Sequence, residues 1–273
     1  MQKIGLIAGN GTLPLLFLNK AREKGYQVYT LAIEREAEPK VLSLSEKSLL
    51  LPAGKLSTGT NFFAENGIKE AVMLGQVRHI RLLRERNLDP AWLETLARIP
   101  DKRTSTVLKA IADHFENKGV KLLPSNFLLD DLFLSPKTIV GPILSEAEEK
   151  DVALGRKVAE TLSSLDVGLT VAVKDGVVLA VEAIEGTDLT ISRAGRFTKG
   201  MVVVKVIRPN QDMRFDLPVI GSRTIRTLAR FSGRVLAVSS RTFVLEKELV
   251  FEMCQRYRIT LGIFQSLPLQ IQL

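Results

Sequence analysis

Ile4-Gly-Leu-Ile-Ala-Gly-Asn-Gly-Thr-Leu-Pro-Leu-Leu-Phe-Leu-Asn-Lys-Ala-Arg-Glu-Lys-Gly-Tyr-Gln-Val-Tyr-Thr-Leu-Ala-Ile33 changes its apolar period twice within thirty residues. Residues 3 to 8 read as a buried strand, apolar from Ile4 onward. Gly9-Asn-Gly11 then makes a tight turn, and residues 13 to 24 carry a helical period. Thr12 stands at the N-cap position, Pro14 in the first turn, and Gly25 follows the basic end of the helix. Residues 26 to 33 read as a second strand, which completes a βαβ unit and puts the two strands parallel.

The alternation continues outward from this unit. A helix is expected near residues 57 to 66, a strand at 69 to 74, helices at 78 to 86, 90 to 98 and 103 to 117, and a short strand at 120 to 123. Strands alternating with helices imply a mostly parallel open sheet, so residues 1–131 are expected to form a Rossmann-like α/β domain. The stretch 132–145 has prolines, a glycine and no helical period, and reads as a linker. Ser145-Glu-Ala-Glu148 has the form of a capping box opening a helix to about residue 165. Beyond it, strands at 169 to 173 and 177 to 184 flank the hairpin signal Lys174-Asp-Gly176. More strands are expected at 201 to 207, 234 to 238 and 259 to 264, with helices at 222 to 231 and 242 to 257. Residues 146–273 are therefore expected to be a mixed α/β domain.

The chain has 273 residues, is 45% hydrophobic and carries a formal charge of +8, which favours an anionic partner. Aromatic residues are only 6% and do not alternate with basic ones as stacking platforms require, so nucleic acid is not expected as the partner. One cysteine, Cys254, excludes an internal disulfide, and His79 and His114 lack zinc-ligand spacing. No apolar run has the length of a membrane span and no signal-peptide pattern opens the chain, so a cytoplasmic protein is expected.

Charge concentrates in Lys205-Val-Ile-Arg-Pro-Asn-Gln-Asp-Met-Arg-Phe-Asp-Leu-Pro-Val-Ile-Gly221, where Arg208, Asp212, Arg214 and Asp216 crowd between two apolar runs. A loop of this kind can turn guanidinium groups to phosphate and carboxylates to a divalent cation, or it can be an internal salt-bridge cluster. Gly9, Asn10 and Gly11 can bring backbone N–H groups to a nucleotide, or form a structural turn. Pro14 stands where a dinucleotide fingerprint wants a third glycine, and Glu34 lies beyond the strand. Gln76 and Arg78 follow a strand end, the usual ligand side of an open sheet. The alternative there is a solvated helix face of Arg78, Arg81, Arg84 and Arg86, which could also rest on anionic lipid. Glu182, Glu185 and Asp188 close a strand, with Glu182 expected to share a face with Ile184. They suit magnesium, or are ordinary surface acids.

Taken together, Leu6-Ile-Ala-Gly-Asn-Gly-Thr-Leu-Pro14, Leu74-Gly-Gln-Val-Arg78, Val181-Glu-Ala-Ile-Glu-Gly-Thr-Asp188 and Gln211-Asp-Met-Arg-Phe-Asp-Leu-Pro218 resemble the LpxI family of UDP-2,3-diacylglucosamine pyrophosphatases over nearly the whole chain. The resemblance implies two domains with substrate held between them. It implies hydrolysis of UDP-2,3-diacylglucosamine to UMP and 2,3-diacylglucosamine 1-phosphate in lipid A biosynthesis, by water attack on the α-phosphorus with Mg2+ or another divalent cation such as Mn2+. On that reading Asp212 and Asp216 ligate the metal or orient water, with no ranking between them. Glu182, Glu185 and Asp188 are further candidate ligands. Arg208 and Arg214 neutralise phosphate, Gln211 positions water or phosphate, and Thr187 joins Gly9, Asn10, Gly11, Gln76 and Arg78 in contacting substrate. The implied partners are the acylated UDP-sugar and an anionic membrane surface met peripherally at the inner membrane, with a homodimer left open. The alternative reading is a non-catalytic nucleotide-sensing or lipid-surface module, with a dinucleotide oxidoreductase third.

Overall fold

The computed structural model describes residues 2–77 and 87–265. Its first unit takes Met1–Asp130 together with Asp212–Asp216, and its second takes Asp131–Gln211 and Leu217–Leu273. In the first unit β1 (Gln2–Ala8), β2 (Tyr26–Ile33), β3 (Lys47–Leu51), β4 (Glu70–Leu74) and β5 (Lys121–Leu122) form one sheet in the order β3-β2-β1-β4-β5. Every pairing in it is parallel. Helices α1 (Leu13–Glu23), α2 (Lys40–Leu44), α3 (Leu56–Glu65), α4 (Pro90–Arg98) and α5 (Thr104–Asn117) connect and cover these strands.

A parallel sheet must be buried on both faces, which is why β1 is apolar from Ile4 to Ala8 without alternation. Ile7, Leu31, Phe63, Trp92 and Phe115 pack in one cluster on one side. Each such side chain contributes about 1.5–3 kcal/mol when fully buried. Asp89 caps α4 by accepting from Trp92 N at 2.9 Å, and its other oxygen accepts from Ser57 N at 2.7 Å, tying α4 to α3. The strand β3 and helix α2 are absent from the sequence reading, because Lys47-Ser-Leu-Leu-Leu51 is short and follows a charged run. Thr12 does occupy the N-cap position of α1, but its side chain makes no cap bond. The helix expected at 78 to 86, with Arg78, lies outside the described residues.

The second unit is a six-stranded mixed sheet in the order β6-β13-β11-β9-β7-β8. Its strands are β6 (Ile139–Val140), β7 (Thr170–Lys174), β8 (Val177–Val181), β9 (Val202–Lys205), β11 (Val235–Ser239) and β13 (Thr260–Phe264). β9, β11 and β13 run parallel, while β7, β8 and β6 are paired antiparallel. A two-stranded parallel pair, β10 (Val219–Ile220) with β12 (Phe243–Val244), stands apart. Val202 and Val204 face one buried cluster and Val203 the other, the period-two alternation of a strand covered on both sides. Helix α6 (Glu146–Ser164) packs on the first face, where a Cβ on Gly155 would lie 2.7 Å from Val204. Helices α7 (Thr187–Ala194), α8 (Ser222–Arg230) and α9 (Lys247–Tyr257) supply Ile191, Ile225, Leu228, Val250 and Cys254 to the second. Burial pushes the Cys254 thiol up to about 11, so it is packing material and not a nucleophile.

Three sequence readings need correction here. The stretch 132–145 is not a free linker: β6 pairs with β13, Phe133 stacks on Phe243 with ring centroids 4.8 Å apart, and Lys247 Nζ donates to Phe133 O at 3.1 Å. Apolar and backbone partners far along the chain order it. The capping box at Ser145 and Glu148 forms as its spacing predicts. The helix expected from residue 242 starts at Lys247, because Phe243 and Val244 are taken into β12. β8 ends at Val181, so Glu182 and Ile184 do not share a strand face: Glu182 is buried and Ile184 exposed in the turn that follows.

Candidate active site

In the first unit, two strand-end turns are joined backbone to backbone. Gly9 N donates to Leu74 O at 2.8 Å, Asn10 N to Gln76 O at 2.8 Å, and Gln76 N returns a bond to Asn10 O at 2.9 Å. The approach requires glycine. A Cβ on Gly9 would fall 2.7 Å from Gln76 O, one on Gly75 2.6 Å from Asn10 O, and Gly75 also has φ +86. The amides of Gly9 and Asn10 are thus already bonded, so the expected backbone cradle for phosphate is not formed by these two residues. What the bridge does is set the exposed side chains of Asn10 and Gln76 together at the carboxyl edge of the sheet. Gly11, with φ +101, turns the chain from there into α1.

Asp212–Asp216 belongs to this same unit although it comes from the far half of the sequence. Ser125, three residues beyond β5, ties it down. Its N donates to Met213 O at 2.7 Å, and its Oγ lies 2.8 Å from Arg214 O and 3.0 Å from Met73 O in β4. Phe215 is the apolar anchor, buried in the cluster that holds Trp92, Val107 and Phe115. The expected boundary at residue 146 thus fails to describe these five residues, because long-range packing of one phenyl group outweighs sequence position.

With Phe215 inward, the charged neighbours are displayed at the strand ends. Asp212 Oδ1 accepts from Arg214 N and Nε, both at 3.0 Å, and Oδ2 accepts from Nη2 at 2.7 Å. Arg214 Nη1 donates to Glu116 Oε1 at 2.8 Å. Partial burial favours the neutral acid, but the Arg214 bonds outweigh it and hold the Asp212 carboxyl below its ordinary range. Hydrogen bonding to Asp212 raises the Arg214 guanidinium further still. Asp216 is exposed and sits at φ +57, a left-handed conformation uncommon for a residue with a side chain and one that clusters at functional sites.

The second unit holds the other sequence candidates, each engaged with named partners. Arg208 Nε donates to Asp166 Oδ1 at 2.9 Å, and its Nη1 donates to Gln211 Oε1 at 3.2 Å. Glu182, only 7% exposed, accepts from Leu169 N at 3.1 Å and Thr187 Oγ1 at 2.9 Å, with the 6% exposed Lys205 3.9 Å away. Lys205 Nζ donates to Thr187 Oγ1 at 2.7 Å. Burial pushes the Glu182 carboxyl up, but Lys205 and the threonine bonds prevail and hold it below its ordinary value. Glu185 Oε1 accepts from Arg193 at 2.8 Å, and Asp188 pairs with Arg223 at 2.7 Å.

This arrangement does not fit the expected cation shell. Glu182, Glu185 and Asp188 each meet a different protein cation, and Asp212 is wrapped by Arg214. Among the described residues no three His, Cys, Asp or Glu side chains group as metal ligands. Ser125, Glu116 and Asp166 are absent from the sequence reading, and Lys205 enters it only as the first residue of the charged stretch. Ser125 alone had a local signal, since Pro124-Ser125 follows a strand end as Gly75-Gln76 does.

The chain was compared with known proteins and structures. A model of the LpxI N-terminal domain matches residues 3–132, and one of the LpxI C-terminal domain matches residues 137–262. A relative from Caulobacter vibrioides, UDP-2,3-diacylglucosamine pyrophosphatase LpxI, is 27% identical over 272 residues, covering 92% of this chain and 93% of its own. Solved structures give only slight likenesses. The biotin carboxylase domain of a thermophilic 2-oxoglutarate carboxylase is 14% identical with a TM-score of 0.30, covering 63% of this chain and 35% of its own. UDP-glucose-4-epimerase from Stenotrophomonas maltophila is 12% identical with a TM-score of 0.28, covering 44% and 35%. Neither bears on fold or function. The two domain models, matched in order from residue 3 to residue 262 beside a relative of nearly equal length, make this chain a member of the LpxI family.

Proposed function

We propose that the protein hydrolyses UDP-2,3-diacylglucosamine to UMP and 2,3-diacylglucosamine 1-phosphate, a step of lipid A biosynthesis. Membership of the LpxI family supports the substrate and the reaction. The structural observation that carries the reading furthest is the lodging of Asp212–Asp216 at the carboxyl edge of a parallel sheet, the end where open α/β sheets take their ligands. Asn10 and Gln76 project from that edge and are assigned to the nucleotide part of the substrate.

In this proposal water attacks the α-phosphorus, the bond from that phosphorus to the bridging oxygen breaks, and the bridging oxygen leaves on the lipid phosphate. Arg214 supplies positive charge where the phosphoryl oxygens gain negative charge. Asp212 is the residue that positions Arg214. A carboxylate held below its ordinary pKa is a poor proton acceptor, so the water is assigned to Asp216, which is exposed and held in an unusual backbone conformation. Arg208, which donates to both Asp166 and Gln211, is assigned with Gln211 to ordering the stretch of chain that leads into Asp212. A divalent cation stays in the proposal as an expectation of the family, and no step above runs through one.

An acylated substrate is delivered at a membrane, and we assign the protein to the cytoplasmic surface of the inner membrane as a peripheral visitor. No helix among the described residues is long and apolar enough to cross a bilayer. Release of UMP from the acylated UDP-sugar by the purified chain, measured with and without chelator, tests the reading. UMP release supports it, and none with any divalent cation leaves the non-catalytic module.

A further inference from the structure

We propose that the outward face of α7 and α8 is the surface that docks this protein on an anionic bilayer. The inference rests on the membrane part of the proposed function and names the residues that carry it. Helix α7 turns Thr190, Ile191 and Ala194 into the core. Along its outer side run Leu189 and Arg193, four residues apart, and Phe197 follows in the turn that leaves the helix. Ile184 precedes the helix. Ile184, Leu189 and Phe197 are 65%, 61% and 69% exposed, an apolar stripe that single stray surface residues do not make.

Helix α8 supplies the charge. Its inner side is Ser222, Thr224, Ile225 and Leu228, and its outer side is Arg223, Arg226 and Arg230, all exposed, with no acidic residue in the helix. Arg223 Nε pairs with Asp188 Oδ2 at 2.7 Å, which sets the two outer faces side by side. Arg196 and Lys199, also exposed, extend the basic side past the end of α7. The acids on these elements, Glu185 and Asp188, are paired with Arg193 and Arg223. Beyond α8 the exposed Glu248 and Glu252 of α9 bound the patch, so the positive field is directional.

Arginines flanking exposed Ile, Leu and Phe match the interface of an anionic membrane. The long basic side chains reach phosphate headgroups while the apolar ones enter the acyl boundary. A nucleic-acid surface would use the cations but leave the stripe wet. An acidic partner protein or a second copy of the chain is what the experiment must separate from lipid.

The test is sedimentation of the full chain with vesicles of phosphatidylcholine alone or mixed with phosphatidylglycerol, across a salt series. Three forms are compared: wild type, the triple variant Arg223→Gln, Arg226→Gln, Arg230→Gln, and the double variant Leu189→Ser, Phe197→Ser. Wild type is expected to bind the mixed vesicles only, less at high salt. Losing three arginines should weaken this about 100-fold, and the double variant should weaken it at all salts. Detergent-dispersed substrate should be hydrolysed equally by all three, which shows that the variants fold. If a multiple variant is misfolded by circular dichroism, Arg226→Gln and Phe197→Ser singly give the same comparison. Wild-type binding by both variants, equal capture by neutral vesicles, or a loss confined to a variant of Arg81 and Arg84 would overturn the assignment. So would dimer dissociation in the variants with vesicle binding intact. Vesicle binding without UMP release would leave the docking surface standing and remove the proposed reaction instead.

Discussion

The Arg214 side chain and its own backbone amide both turn back two residues onto the Asp212 carboxylate, at 2.7 to 3.1 Å. Arg214 can do this because Phe215 next to it is buried and Ser125 holds the backbone on either side. The relationship divides the labour of two aspartates that look alike in sequence. Asp212→Asn should keep the fold and lower turnover moderately, since bonds to a charged group contribute about 1.5–3 kcal/mol. Asp216→Asn should lower kcat by several orders of magnitude with KM little changed. Steady-state UMP release checks both, and the reverse order of severity would exchange the roles assigned above.

Phe215→Ala removes the anchor of the inserted segment. Opening a cavity in place of a buried phenyl group costs about 3–5 kcal/mol, so the midpoint of denaturant unfolding should fall, and activity should drop well before the unfolding transition. Ser125→Ala leaves the cavity filled but frees the backbone of Met213 and Arg214, and should lower kcat with a smaller change in stability. Urea titration followed at Trp92, which lies in the same cluster as Phe215, reads the first effect directly. Unchanged stability in Phe215→Ala would mean that the segment is not held by packing.

Glu182 and Lys205 give unit two a pH signature. The folded-state carboxyl lies below its ordinary value, so the stabilisation is present above the ordinary glutamate pKa and is lost as pH falls through the depressed one. In Lys205→Met the burial effect is opposed only by the threonine and Leu169 hydrogen bonds, the Glu182 pKa rises, and acid unfolding should begin at higher pH. Removing one partner of a buried pair also costs about 3–5 kcal/mol at neutral pH. Acid titration followed by circular dichroism checks this. An acid transition at the wild-type pH in Lys205→Met would show that the pair does not control it.

Glu185→Gln and Asp188→Asn should leave the divalent-cation titration of activity unchanged. Their carboxylates answer Arg193 and Arg223, and the expected loss is the modest one of a surface pair, about 0–1 kcal/mol of stability. A raised cation requirement in either variant would restore the metal-ligand reading.

Much of the fold could be read from local pattern. The βαβ unit from Ile4 to Ile33 and the Ser145 capping box depend on neighbours close in sequence, and each appears as the spacing predicts. What the pattern hid was set by distant partners. Asp166 meets Arg208 forty-two residues away, and Phe215 finds its core across half the chain. Helix α7 was obscured because Val181 to Asp188 reads as the acid-rich end of a strand, although β8 stops at Val181 and Gly186, at φ +82, turns the chain into a helix. Residue type alone does not show which candidate carboxylates are ion-paired; the partners of Asp212, Glu185 and Asp188, namely Arg214, Arg193 and Arg223, do.

The most direct test of the central claim is hydrolysis of the acylated UDP-sugar in heavy-oxygen water, with both products weighed by mass spectrometry, for wild type beside Asp216→Asn. Attack on the α-phosphorus predicts one heavy oxygen in UMP, none in the sugar phosphate, and no product above background from the variant. Label in the sugar phosphate, or wild-type turnover by Asp216→Asn, would contradict the account.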